Sequence, residues 1–332
     1  ENDAGGEYIF NEKGQDFFNG SMQVYRSKIS SLVDEQDCLK IINDYLGTWR
    51  MSHLYVAAVP EAELPQTNIK SEKAVVKPKP LVKMEFITPA TVYLRLPNFK
   101  SYNKSELSKL LSLNMEKLLL VKNWIIDVRG NGGGNDSSYY PILPWVLTNE
   151  TLSVSASWFV TQENIQAQKN ICNRSRSLED DCDKKVKVIT DRMKTVEFGK
   201  FVGQYQSGDI SFSPPVDHPK AERVALLIDG KCASSCEEFV LLLRQSFNVK
   251  LIGQKTAGAL DYSNLRPYLL PSGKRELWYA TSRSNRLPYF PVDNHGIPAD
   301  IYLPPDGKEG DPFALVGKVT KWIEGGSLAA GK

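Results

Sequence analysis

The chain has 332 residues and a mass of 37.2 kDa, room for one large α/β domain or two modest ones. Hydrophobic residues make up 41% and charged residues 24%, an ordinary globular balance, and a formal net charge of +2 with scattered basic residues argues against a dedicated nucleic-acid surface. No apolar run approaches the length needed to span a bilayer.

The chain opens ENDAGGEYIF, with no basic or apolar leader pattern. That leaves a cytosolic chain or one whose signal peptide has been removed. Residues 1–35 are weakly periodic and predict short helices. From Asp37 onward Leu39, Ile42, Leu46 and Trp49 trace one helical face. This helix runs into RMSHLYVAAV, where LYVAAV reads as a strand. Ser52 and His53 therefore fall at a helix-to-strand junction, closing an N-terminal helical segment over 1–59. Residues 60–82 are polar and rich in Pro and Lys, a linker too short to fold alone.

Residues 83–324 read as one core. KMEFIT and TVYLRLP are strand-like, a helix is predicted over Ser105–Leu120, and WIIDV is a buried strand. Strands alternating with helices predict α/β architecture with a substantially parallel sheet. RGNGGGND follows the WIIDV strand, and three consecutive glycines there mean a tight turn or a close approach to the backbone. A phosphate loop does not fit, because the GK[ST] of a P-loop is missing. Residues 136–220 are irregular and form an excursion that can serve as a wall or lid.

The stretch RVALLIDGKCASSCEEFVLLLRQSFNVKLIGQKTAG, Arg223 to Gly258, reads as strand, turn, helix and strand. Phe239, Leu242, Leu243 and Phe247 fall at helical spacing. Ser234 stands at the turn, either as a nucleophile at a helix N-terminus or as an N-cap, with Glu237 or Glu238 completing a capping box. After Gly258 come strand-like PYLLPSG and ELWYATSR, the loop LPYFPVDNHGIPADIYLP, a closing helix over about Pro312–Ile323, and a small-residue tail over 325–332.

The histidines are His53, His218 and His295, so a Ser–His mechanism has few candidates for its base. His218 reads as a surface residue and His295 as a turn residue. There is no HExxH and no paired Cys/His spacing, so neither a metal nor any other cofactor is called for. Cys172 and Cys182 bracket a polar loop and are placed to close a disulfide. Cys232 and Cys236 flank Ser234 and read as small apolar packing residues.

Four pieces in this order resemble the serine peptidase family that holds the C-terminal processing proteases, the tricorn core protease and the repeats of interphotoreceptor retinoid-binding protein. They are Ser52-His53 before a strand, IIDVRGNGGG (Ile125–Gly134), ASSCEEF with IGQKTAG (Ala233–Phe239 and Ile252–Gly258), and VDNHGIPADI (Val292–Ile301). The resemblance covers roughly residues 36–305 outside the excursion. It implies a crotonase-like or Clp-protease-like β/α superhelix core behind an N-terminal helical segment. Between Val59 and Val82 there is no room for the PDZ domain that many relatives carry.

The family has two catalytic versions. The lysine of the processing proteases aligns with Ala259 here, and their helix-borne aspartate with Gln245, so the resemblance is to the tricorn-like version. It implies Ser234 as nucleophile, His53 as base, and Ser52 and Asp293 as orienting residues, with Asp293 where tricorn-like enzymes usually carry Glu. It also implies an oxyanion hole from Gly133 or Gly134 with the N–H of Ser235. The substrate would be a peptide or unfolded protein, with neither nucleic acid nor a membrane span involved. Export to the periplasm or cell envelope would follow from relatives of this kind, a cytoplasmic location being the alternative. A non-catalytic binder of an apolar ligand on the same fold is the rival reading, suggested by Tyr139, Tyr140, Trp145, Trp158 and Phe159 in the excursion. An esterase or amidase using the same residues is a third.

Overall fold

The computed structural model describes residues 2–49, 52–59, 79–174, 182–206, 208–304 and 312–325. The expected linker up to residue 78 and the tail from 326 lie outside the described residues. In chain order the helices are α1 (Gly6–Ser27), α2 (Glu35–Trp49), α3 (Ser101–Leu113), α4 (Met115–Leu118), α5 (Leu143–Val146), α6 (Gln162–Arg174), α7 (Cys182–Met193), α8 (Ser235–Leu243) and α9 (Pro312–Ile323). The strands are β1 (Leu54–Ala58), β2 (Lys83–Thr88), β3 (Thr91–Arg95), β4 (Asn123–Asp127), β5 (Thr151–Ser153), β6 (Ala156–Phe159), β7 (Phe201–Gly203), β8 (Ile210–Phe212), β9 (Arg223–Ile228), β10 (Val249–Gly253), β11 (Tyr262–Leu269), β12 (Arg275–Ser284) and β13 (Ile301–Tyr302). These elements gather into two compact units. One takes Glu1–Lys77, Ser155–Gly208 and Asp261–Pro291, and the other takes Pro78–Val154, Asp209–Leu260 and Val292–Lys332.

The second unit is the α/β core. Its sheet runs in the order β13-β10-β9-β4-β3-β2, parallel throughout except for the antiparallel edge pair β2–β3. The apolar runs WIID and VALLI form adjacent central strands because both of their faces must be buried. Alternation then divides the side chains. Trp124, Ile126, Val224, Leu226 and Ile228 join a core with Leu107 and Leu111 of α3 and Phe239, Val240 and Leu243 of α8. Ile125, Ala225 and Leu227 point the other way, against Leu315, Val316, Val319 and Ile323 of α9. Asp127 pairs in register with Leu227, so the loops that leave β4 and β9 emerge side by side at the carboxyl edge of the sheet, where parallel α/β sheets assemble their sites.

The first unit carries an antiparallel sheet, β1-β12-β6-β7, with β11 hydrogen-bonded along β12. Strand β1 pairs with a partner more than two hundred residues further along the chain. The excursion over 136–220 divides: β6, α6, α7 and β7 belong to this unit, while α5, β5 and β8 belong to the other. A disulfide between Cys172 and Cys182 joins α6 to α7, as their spacing suggested.

Three local expectations change. Residues 6–27 form one long helical run, bent at Gly14, whose φ of 81° no ordinary L residue adopts readily. Phe10, Phe17 and Phe18 of α1 group around Trp49 of α2, and this contact fixes a segment whose periodicity is weak. The helix expected over Ser105–Leu120 begins at Ser101 and ends at Leu113, because Asn114 leaves helical geometry. Helix α8 stops at Leu243, which leaves Phe247 87% exposed rather than on the buried face.

The end of β4 is held by charge. Asp127, with a side chain 2% exposed, receives Arg129 through Nη2 at 2.7 Å and Nε at 3.0 Å, and accepts the Tyr93 hydroxyl at 2.9 Å. Arg95 reaches across to the carbonyls of Asp127 and Arg129. Burial alone would push the Asp127 carboxyl up, but the Arg129 guanidinium, with Arg95 behind it, holds it below the usual carboxylate range. A lowered folded value means that Asp127 contributes stability that is present above the ordinary carboxylate range and lost as pH falls through that lowered value. Asp127→Ala should therefore cost about 3–5 kcal/mol in denaturant unfolding at neutral pH. Asp127→Asn should show a deficit that shrinks on acidification. A deficit independent of pH would contradict this account.

Candidate active site

Strand β9 ends at Ile228, and the next residues fold back onto the neighbouring loop. The Asp229 carboxylate accepts the N–H groups of Gly130 and Lys231, tying the β4 and β9 loops together. Ala233 then donates its N–H to the Asn131 carbonyl. Ser234 follows, immediately before the first residue of α8, with φ 58° and ψ −125°. Positive φ is uncommon for a side chain with a Cβ. Among the described residues the other non-glycine residues in that region are His53, Asn264 and Asn294. Two of these are a candidate base and the neighbour of a candidate acid, and backbone strain of this kind clusters at functional sites.

Ser234 also occupies the N-cap position of α8. Its carbonyl accepts the N–H groups of Glu237 at 2.7 Å and Glu238 at 3.1 Å, while its own N–H donates to the Ala259 carbonyl at 3.0 Å. The Glu237 carboxylate reaches back to the Ser234 N–H at 3.3 Å. The capping geometry and the candidate nucleophile thus fall at one residue.

Glu237 is fully buried. Its Oε1 accepts the Thr256 hydroxyl at 2.6 Å and the Gly258 N–H at 2.7 Å, and its Oε2 accepts the Ala259 N–H at 2.8 Å. Burial pushes its carboxyl up, and the bonds from Thr256, Ala259, Gly258 and Ser234 oppose that shift. Thr256 passes the link onward, because its hydroxyl oxygen accepts the Ile297 N–H at 2.7 Å. Asn294 N–H donates to the Gly258 carbonyl, and Asp293 Oδ1 accepts the Leu260 N–H at 2.6 Å. The SxxE, GxxTxG and VDNHGIPAD segments are therefore one hydrogen-bonded assembly. Asp300 of the last segment serves the sheet, through Oδ2 to the Leu251 N–H.

The glycine loop lies against the nucleophile turn. A Cβ on Gly133 would stand 2.7 Å from the Ala233 carbonyl oxygen and 2.9 Å from the Ser234 Cβ, and one on Gly134 would stand 2.3 Å from the Phe99 oxygen. Neither position admits another residue, and their φ values of 94° and 148° favour glycine as well. The two glycines differ in what their N–H groups do. Gly133 donates to Asn131 Oδ1 at 2.9 Å. The N–H groups of Gly134 and Ser235 meet no protein acceptor among the described residues. The Ser235 hydroxyl donates to the Gly134 carbonyl at 3.1 Å and so fixes the orientation of that residue.

Ser234, Ser235, Gly133, Gly134 and Asp293 all belong to the α/β unit, with Ala259 and Leu260 linking Ser234 to Asp293. Ser52 and His53 belong to the other unit. There His53, with φ 60°, shares a hydrogen bond between Nδ1 and the Tyr262 carbonyl. A carbonyl only accepts, so in this hydrogen bond Nδ1 carries the proton. His295 Nδ1 contacts the Asp293 carbonyl within its own turn.

Sequence reasoning missed three features of this assembly. Asn131 is fully buried and organises the glycine loop, donating through Nδ2 to the Leu96 carbonyl. The Ser235 hydroxyl was assigned nothing. Cys232 and Cys236, expected to pack as small apolar residues, are buried but joined in a disulfide across Ser234. Their i, i+4 spacing at the start of an amphipathic helix reads equally well as a core stripe, so only their placement around a turn separates the two.

The sequence model of peptidase family S41 matches residues 90–303. A candidate peptidase from Parabacteroides merdae has a similar structure, with a TM-score of 0.55 at 15% identity, covering 93% of this chain and 91% of its own. A serine-to-alanine mutant of CPAF gives 0.51 at 14% identity over 73% of this chain and 51% of its own. Mature CPAF complexed with lactacystin gives 0.46 at 14% identity over 64% and 47%. At these identities the likeness is one of fold, and the chain spans about half the length of the CPAF chains. No curated protein sequence matches it.

The Glu237 network generates a stability prediction. Glu237→Gln sets an amide N–H₂ against two N–H donors or a hydroxyl, and should cost about 2–4 kcal/mol in denaturant unfolding. Thr256→Val removes one donor and one acceptor and should cost about 1–2 kcal/mol. Equal costs for the two variants would contradict a central role for the carboxylate.

Proposed function

The chain belongs to peptidase family S41, and on that premise we propose that it is a serine peptidase in which Ser234 is the nucleophile and His53 the general base. The observation that carries the reading is the pair of undonated N–H groups, Gly134 and Ser235, beside a serine held in left-handed geometry at the start of α8. Two such donors are what a tetrahedral oxyanion requires, and losing one typically costs about 10²–10³ in rate. Because the Gly133 N–H is already engaged by Asn131, Gly134 is the preferred donor with Ser235.

In the proposed reaction Ser234 Oγ attacks a peptide carbonyl while His53 Nε2 takes its proton. The Nδ1–H bond to the Tyr262 carbonyl supports this by fixing the tautomer. The imidazolium then delivers its proton to the leaving amine, and water, activated by the same nitrogen, hydrolyses the acyl-enzyme. Asp293, acting through Ser52, would stabilise the imidazolium.

The substrate would be a peptide or an unfolded protein. The disulfides Cys172–Cys182 and Cys232–Cys236 favour an exported protein, since oxidising compartments preserve such bonds. Among the described residues no helix is long and apolar enough to cross a membrane. The rival reading as an apolar-ligand binder rested on aromatic residues of the excursion. Tyr139, Trp145, Trp158 and Phe159 are buried core residues, which favours the peptidase.

A fluorophosphonate probe should label the wild type stoichiometrically at Ser234. Ser234→Ala should abolish labelling and lower peptide turnover by about 10⁴-fold or more, and His53→Ala should cause a loss of similar size. Labelling that survives Ser234→Ala would overturn the assignment.

A further inference from the structure

We infer that the Cys232–Cys236 disulfide is a positioning element of this site: it holds the turn that presents the Ser234 hydroxyl and thereby sets the rate of acylation. The inference rests on the reading of Ser234 as nucleophile.

The backbone of Ser234 lies in a region that side-chain-bearing residues occupy only where the surroundings over-determine it. Hydrogen bonds hold each flank of the turn. On the strand side, Cys232 N–H donates to the Asp229 carbonyl and the Cys232 carbonyl accepts the Ala257 N–H. On the helix side, Glu237 and Glu238 close on the Ser234 carbonyl. The disulfide ties the flanks to each other, with Cα atoms 5.3 Å apart and Ser234 midway between them. Both cysteines are fully buried, and Cys236 Sγ lies 3.9 Å from the Val128 carbonyl, just past the end of β4. The brace is thus anchored in the core beneath the glycine loop.

Each hydrogen bond fixes one polar group, but the torsions between Ala233 and Ser235 can still relax in concert. A covalent ring through the residues two before and two after Ser234 removes most of those concerted moves. Its value lies in orientation, where an error of about 1 Å costs on the order of 10²-fold in rate. Cys172–Cys182 differs in kind, because it joins α6 to α7 and brackets no candidate catalytic group.

The test uses the Cys172→Ser/Cys182→Ser variant, which retains Cys232–Cys236 and should turn over like the wild type. A dithiol supplies two electrons and two protons, converting the disulfide into two thiols and becoming a cyclic disulfide itself. Alkylation then counts three thiols, Cys38 included, where the oxidised protein shows one. The reduced protein should remain folded by circular dichroism at the assay temperature. Its kcat and its rate of fluorophosphonate labelling should both fall about tenfold to a hundredfold, with KM within about twofold, and reoxidation should restore both rates. Cys232→Ala/Cys236→Ala should behave like the reduced protein without dithiol. If either form labels and turns over at the wild-type rate, the positioning role is wrong while Ser234 stands as nucleophile. If labelling survives Ser234→Ala, the reading beneath it fails instead.

Discussion

One buried carboxylate organises the candidate site. Glu237 has no counter-ion among its partners; it is satisfied instead by the Thr256 hydroxyl and the backbone N–H groups of Ser234, Gly258 and Ala259. A charge in this setting is tolerable only with its acceptor capacity filled. Every donor must therefore stand in place whenever the protein is folded. Those donors come from the turn after β9 and the loop after β10, and Thr256 carries the constraint on to Ile297. The position of Ser234 is consequently set by the satisfaction of a buried carboxylate three residues further along the chain.

The second constraint is the meeting of backbones. Strands β4 and β9 are adjacent and parallel, so their exit loops share one edge of the sheet. The glycine loop approaches the Ser234 turn so closely that a side chain is excluded at Gly133, and the Phe99 backbone excludes one at Gly134. The Asp229 carboxylate accepts the Gly130 N–H and the Asn131 carbonyl accepts the Ala233 N–H, which stitches the two loops together and satisfies groups that would otherwise be stranded. Asp127 and its arginines hold the strand end from which the glycine loop departs. Backbone donors aimed by such a scaffold need no rearrangement when charge develops, which is the basis of preorganised catalysis.

Much of this was legible in the sequence. VALLI and WIID could only be strands buried on both faces, and their spacing from GGG and ASSCEEF put the glycines and Ser234 at strand ends. The positions of the glycine loop and of Ser234 in the fold could be read this way because φ-restricted glycines and a strand–turn–helix junction are local properties. What escaped was non-local or ambiguous in period. Asn131 looks like any polar loop residue until its partners Leu96 and Gly133 are known. The length of α1 depends on Trp49 packing from α2 rather than on its own periodicity. Cysteines four apart suit a helix face and a bridged turn alike. The partition of the excursion between two units has no compositional mark at all.

Neither unit is a continuous piece of chain. The unit that begins with α1 is completed by Asp261–Pro291, and β1 pairs there with Arg275–Tyr279 of β12. The core sheet likewise waits for β13, and the buried face of β4 and β9 waits for α9. Contacts of such long sequence separation close slowly, because loop entropy is lost before packing compensates for it. During synthesis, the residues up to Pro291 must emerge before the first unit can close, and those of α9 before the core sheet is covered. The interleaving makes closure of each unit a late event, and the turn that bears Ser234 stays unassembled until the segments that complete its unit have been made.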